Sequence, residues 1–153
     1  MTKTAAKSKP EVFCPYCGAE AVLLPDAAVY RSTYGGMVYV CIACKAWVGC
    51  HRRRDGLPGN VPLGRLADAE LRKLKIEGHS LFDNLCRSAI THRGWKKGKA
   101  RAYAYKWLSA QTGIPAKECH FGMMDNDQCK KAIQTLREFY REIKGNKANG
   151  TTR

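Results

Sequence analysis

The chain is short of acid. Its 153 residues carry 13 aspartates and glutamates against 27 lysines and arginines, a formal charge of +14. An imbalance of that size speaks to partners rather than to fold, and it selects a polyanion, nucleic acid before an acidic protein. Long apolar runs are missing too. None approaches the roughly 18 residues a membrane span needs, so no membrane partner is expected. The first ten residues are polar and lysine-rich with no apolar stretch, so they do not read as a secretory signal. A cytoplasmic protein of a bacterial host cell is the expectation. No phosphate-binding loop, nucleophile elbow or paired acidic metal motif occurs, and no small-molecule substrate is inferred.

Cysteine is plentiful by contrast, with eight in the chain. In an intracellular protein, cysteines serve more often as metal ligands and buried thiols than as disulfides. Four fall in two CxxC pairs, Cys14-Pro-Tyr-Cys17-Gly18 and Cys41-Ile-Ala-Cys44, with 23 residues between them. Two residues between cysteines let a tight turn aim both sulfurs at one point, and Gly18 supplies the backbone freedom such a turn needs. Two turns from different hairpins complete a tetrahedral four-cysteine site for one structural Zn2+. The intervening residues suffice for the strands of a zinc ribbon. A redox dithiol would need a βαβ setting that this sequence lacks. Cys50 and His51 follow closely and read as a strand end beside the ribbon.

The remaining order of elements can be read from periodicity. Residues 1–11 form a disordered basic arm and 12–51 the ribbon. Its strand candidates are 21–24, 28–31, 37–40 and 46–49, with a turn at Tyr34-Gly35-Gly36. Residues 52–65 form a linker loop. A helical region fills 66–145, and 146–153 are a disordered tail. The first helix starts after Asp68 and carries Leu71, Leu74, Gly78, Leu81, Phe82 and Leu85 on one face. A second spans about 99–112, with Tyr103, Trp107 and Ala110 on its apolar face and Gly113 as its stop. Pro115 suits a short helix over 115–119. Asp125 and Gln128 make a capping box for a last helix that ends at Gly145. The fold class is α+β: a small zinc ribbon packed against a three- or four-helix region.

Two stretches contain no acid at all, 27–54 and 84–117. The first ends in Arg52-Arg53-Arg54. The second carries Arg93, Lys96, Lys97, Lys99 and Arg101, interleaved with Trp95, Tyr103, Tyr105 and Trp107. Cations track a phosphate backbone and aromatic rings stack on exposed bases. The candidate nucleic-acid contacts are Arg52, Arg53, Arg54, Arg93, Trp95, Lys96, Lys97, Lys99 and Arg101, while Tyr103 and Trp107, four apart on a helix, read as core.

A second metal or a catalytic centre has weaker support. His79 and Cys86 share a helix face but stand about 10.5 Å apart along the axis at 1.5 Å per residue, so one ion cannot bridge them. His79, Cys119, His120 and Cys129 would need tertiary convergence. His79, Asp83 and His120 are the residues a metal-dependent nuclease would use.

The blocks CPYCG, YVCIACKAWVGCH, PLGRLADAELRKLK, GHSLFDNLC and AYAYKWLSAQTGIPAKECHFGMMDNDQC together resemble a bacterial and phage family of zinc-finger-containing domain proteins, over about residues 13–135. The resemblance implies a phage or prophage origin and supplies no reaction. It places His51, His79, Asp83, Cys119 and His120 inside matching blocks. Cys86 stands where the family has an aromatic, and Arg52-Arg53-Arg54 replaces a less charged turn. The function expected is non-catalytic binding of DNA or RNA. The alternatives are a phage factor that acts on a host enzyme or defence complex, and the nuclease.

Overall fold

The computed structural model describes residues 9–54 and 56–149. Among them are three strands, β1 (Val22–Pro25), β2 (Met37–Val40) and β3 (Trp47–Gly49), then three helices, α1 (Ala69–Arg93), α2 (Lys97–Thr112) and α3 (Asn126–Asn149). The fold is α+β. The chain divides into two compact units at Ala69–Glu70.

The first unit is an antiparallel sheet in the order β1-β2-β3. Val22 pairs with Val40 and Pro25 with Met37; Val38 pairs with Gly49 and Val40 with Trp47. The β-branched residues of β2 fit this central position, and Val38, Tyr39 and Val40 are all buried. Tyr39 joins Cys14, Ala21, Cys41, Ala46, Val48 and Leu66 in the core. Its hydroxyl donates to the Asn60 carbonyl at 2.8 Å.

Residues 28–31 are not a strand. Asp26 opens a single 3-10 turn, Asp26–Ala28, and its carboxylate organises everything up to β2. It accepts from the Thr33 hydroxyl (2.8 Å) and from the backbone N–H groups of Tyr34 (3.0 Å) and Gly36 (2.9 Å). A side chain that gathers local N–H groups competes with a ladder, and here it wins. Those bonds, the Gly36 N–H foremost, hold the Asp26 carboxyl below the usual carboxylate range. Residues 52–65 form a loop held to the sheet by hydrogen bonds. Arg54 and Leu57 close a tight turn, after which Pro62 bridges Cys50 and Ala67 bridges Trp47, so the segment returns along β3.

The second unit is helical. Leu71, Gly78, Phe82 and Cys86 are the buried positions of α1. Tyr140 of α3 donates to the Leu81 carbonyl at 2.8 Å, and Arg137 of α3 pairs with Glu77. Asp125 and Gln128 exchange side-chain-to-backbone bonds of 2.8 and 3.0 Å, the expected capping box. Gly113 ends α2 in the left-handed region at φ 73°. No helix forms over 115–119. The N–H groups of Glu118 and Cys119 both return to the Pro115 carbonyl, and the next turn starts from the His120 carbonyl. The last helix does not stop at Gly145 but runs to Asn149. A glycine ends a helix where it turns left-handed, and Gly145 keeps a negative φ. Residues 1–8 of the expected arm and 150–153 of the expected tail lie outside the described residues.

The face of α2 also differs from expectation. Its buried side is Ala100, Ala104, Leu108 and Thr112, while Ala110 is exposed and Tyr103 is 56% exposed. Small residues allow close backbone approach, and the aromatic side is left at the surface.

Gly78 owes its place to Phe121, whose buried ring lies across the helix where a side chain would begin. A Cβ at Gly78 would sit 2.6 Å from Cζ of that ring. Glycine costs a helix interior about 1 kcal/mol relative to alanine. Overpacking a filled core costs about 1–3 kcal/mol. Gly78→Ala is therefore expected to lower stability despite its better helix propensity. Phe121→Leu in the same chain should recover part of the loss, as measured by urea unfolding of the double-mutant cycle.

Candidate metal centre

The two CxxC turns are built alike. Gly18 N–H donates to the Cys14 carbonyl and Lys45 N–H to the Cys41 carbonyl, each at 2.9 Å. Cys14 N–H reaches the Ala19 carbonyl and Cys41 N–H the Ala46 carbonyl, each at 2.8 Å. The residue after each second cysteine is left-handed, Gly18 at φ 74° and Lys45 at φ 58°. Lys45 is the sole non-glycine residue with positive φ among the described residues. The first turn sits on the bridge between Phe13 and Glu20, and the second joins β2 to β3.

These turns bring the ligand atoms of Cys14, Cys17, Cys41 and Cys44 within 4.8 Å of one another. The Cys17 and Cys41 sulfurs are 3.5 Å apart. A tetrahedral zinc with Zn–S bonds of about 2.3 Å sets its sulfurs about 3.8 Å apart, so the four fit the ion. Cys14 and Cys41 are buried, Cys44 is half-buried and Cys17 exposed.

The Cys44 N–H lies 3.4 Å from the Cys41 sulfur and draws that thiol down to about 7, with the neighbouring thiols assisting. The same crowding, Cys17 foremost, pushes Cys44 up to about 12. Such a cluster cannot carry four negative charges alone. A dication removes the repulsion and holds all four as thiolates. Four thiolates close the coordination shell, which makes the site structural.

Among the described residues no other group of three or more histidine, cysteine or acidic side chains comes within 4.8 Å. His79, Asp83 and His120 thus do not converge on a metal position, nor do His79, Cys119, His120 and Cys129. Asp83 is held by Arg101 at 3.1 Å. His79 lies against Phe121, and His120 against Tyr105, with ring centroids 5.2 and 5.1 Å apart. Partial burial is the main cause that lowers the His79 pKa. Cys86, Cys119 and Cys129 are buried thiols, raised by that burial. Cys50 and His51 serve the sheet, their N–H groups donating to Met37 and Val61.

The expected nucleic-acid contacts fall at two places, one in each unit. In the first unit, Arg52, Arg53 and Arg54 are exposed, and Arg52 donates to the Tyr34 carbonyl at 2.6 Å. Arg52 and Arg54 line a groove of about 650 Å³ with Tyr30 and Tyr34. Tyr30 falls in 28–31, which read as a strand, and Tyr34 in the expected turn, so neither stands out in the sequence. Both lie in the acid-free stretch 27–54.

In the second unit, Arg93, Lys96, Lys97 and Lys99 are exposed around the α1–α2 turn. The Arg93 guanidinium and the Lys99 amine lie 5.1 and 4.7 Å from the centre of the half-buried Trp95 ring. Tyr103 meets that ring edge-on at 5.1 Å. Arg101 is placed differently. Besides its ion pair with Asp83, it lies over Phe82 and Tyr105 at 5.5 and 5.8 Å. Trp95, Tyr103, Trp107 and Phe139 border a cleft of about 330 Å³. Helical spacing had put Tyr103 and Trp107 on an apolar core face, which leaves no room for such a cleft.

No helix among the described residues is long and apolar enough to cross a membrane. A family model described as a zinc-finger-containing domain matches residues 10–139. No curated protein and no solved structure matches the chain.

Purified protein is expected to hold one zinc per chain by elemental analysis, and Cys41→Ser to hold less. Bound thiolates titrate below free thiols, so the metal's contribution is present at neutrality and lost as pH falls. Chelation or acid should collapse the amide resonances of 12–67 first. Because L-residues pay about 1–2 kcal/mol in the left-handed region, Gly18→Ala should destabilise by about that amount and Lys45→Gly should not, in chemical denaturation of the zinc-loaded protein.

Proposed function

The chain belongs to the zinc-finger-containing domain family, and we propose that this zinc-binding member binds nucleic acid without catalysis, in phage or prophage biology. One observation carries the reading. At the α1–α2 turn, Arg93 and Lys99 flank an aromatic ring in reach of solvent, beside Lys96 and Lys97. Lys96 is the N-cap residue of α2 and makes no side-chain cap, and the first turn of the helix contains no acid. The positive end of a helix, bare backbone donors and long cationic side chains all act on the same side of the balance for a phosphate. Trp95 adds a surface on which a base can stack.

Arg101 is left out of this contact set because Asp83 already neutralises it. In the ribbon, Arg52, Arg54, Tyr30 and Tyr34 offer the same pairing of cations with exposed rings. Contacts of this kind address phosphates and base faces rather than base edges, so the expected binding is weakly sequence-specific.

The test is a titration series over salt with Lys96→Glu combined with Lys97→Glu. Two lost phosphate contacts should weaken binding and make the slope of log K against log salt shallower by at least about 1.4. Unchanged affinity and slope would remove these lysines from the interface.

A further inference from the structure

We infer that the cleft between Trp95, Tyr103, Trp107 and Phe139 receives an unpaired nucleobase, which makes the protein a binder of single-stranded nucleic acid; this rests on the function proposed above. Binding sites for organic ligands are concave, mostly apolar and furnished with a few converging polar groups. The cleft has those properties. Trp95 and Tyr103 meet edge-on at 5.1 Å, and Trp107 and Phe139 meet at 4.9 Å, so four rings form its walls. Ser88, His92 and Arg93 are the polar groups on the α1 side. A hydroxyl and an imidazole can each donate and accept, which suits the mixed edge of a base.

Its volume, about 330 Å³, is near the lower end for ligand sites and fits one small ring system. Charge identifies whose ring. No lining residue is acidic, Arg93 is among them, and Lys99 shares the Trp95 ring with it. A neutral aromatic metabolite would bring no counter-charge to those cations, whereas a base enters with a phosphate on either side. In a duplex the base faces are already stacked and its edge is paired. Extracting it costs a few kcal/mol, so an unpaired strand is preferred.

The experiment compares four probes of equal length on the zinc-loaded full chain: oligothymidine, oligouridine, an abasic strand and a duplex. Affinity and tryptophan fluorescence are read at one salt concentration. Oligothymidine should bind at least about tenfold tighter than the abasic strand, as one stacked base allows, and it should quench fluorescence where the abasic strand does not. The comparison of thymidine with uridine separates DNA from RNA, and tight, quenching binding of either supports the cleft. Tyr103→Ala, at an exposed position, should bring the base-bearing strands down to the abasic level and leave the salt slope unchanged. Equal affinity for base-bearing and abasic strands would overturn the inference while leaving phosphate binding intact. A duplex that binds as tightly as the single strands would overturn it too. No binding to any probe would sink the proposed function itself, and the cleft with it.

Discussion

Four sulfurs within 4.8 Å of one another govern the first unit. The sheet above them is small: two strands of four residues and one of three. Isolated hairpins of that length are marginal in water. The metal joins a turn ahead of β1 to the turn between β2 and β3, and so ties all three strands together at the end where Val22, Val40 and Trp47 pair. Core residues Cys14 and Cys41 are ligands as well as packing groups. Metal affinity and folding are therefore one equilibrium in this unit. The second unit rests on a different device, rings and small residues interlocked across three helices, with Phe82 stacked on Tyr105 at 4.0 Å and Phe121 against Phe82.

The metal site was legible in the sequence because CxxC spacing encodes geometry directly. A two-residue gap leaves few ways to direct two sulfurs, and Gly18 marked the left-handed position. The matching position in the second turn is Lys45, which nothing in its residue type announces; the site alone forces it. The capping box at Asp125 and Gln128 was legible for the same reason, since both partners lie within one turn. Gly113 likewise marks a local event.

What escaped the sequence was decided by distant partners. Residues 28–31 have strand-like composition, yet Asp26 takes their surroundings by hydrogen bonding to residues seven to ten positions on. Tyr103 and Trp107 have the spacing of a core stripe, yet Ala100, Ala104 and Leu108 occupy the buried side. Periodicity finds a face without saying which of two faces is covered. Likewise, the acid-free stretch counted Arg101 among available cations, although Asp83, just outside that stretch, pairs with it. Formal charge overstates the field offered to a ligand wherever such pairs form.

Gly78 and Phe121 carry an implication for relatives of this chain. The ring lies where the helix would otherwise bear a side chain, so the two positions cannot vary independently. A family member with any larger residue at the first must surrender the aromatic at the second, or move the loop before α3. The pair thus works as a two-letter marker of loop placement, readable in a sequence with no coordinates at hand.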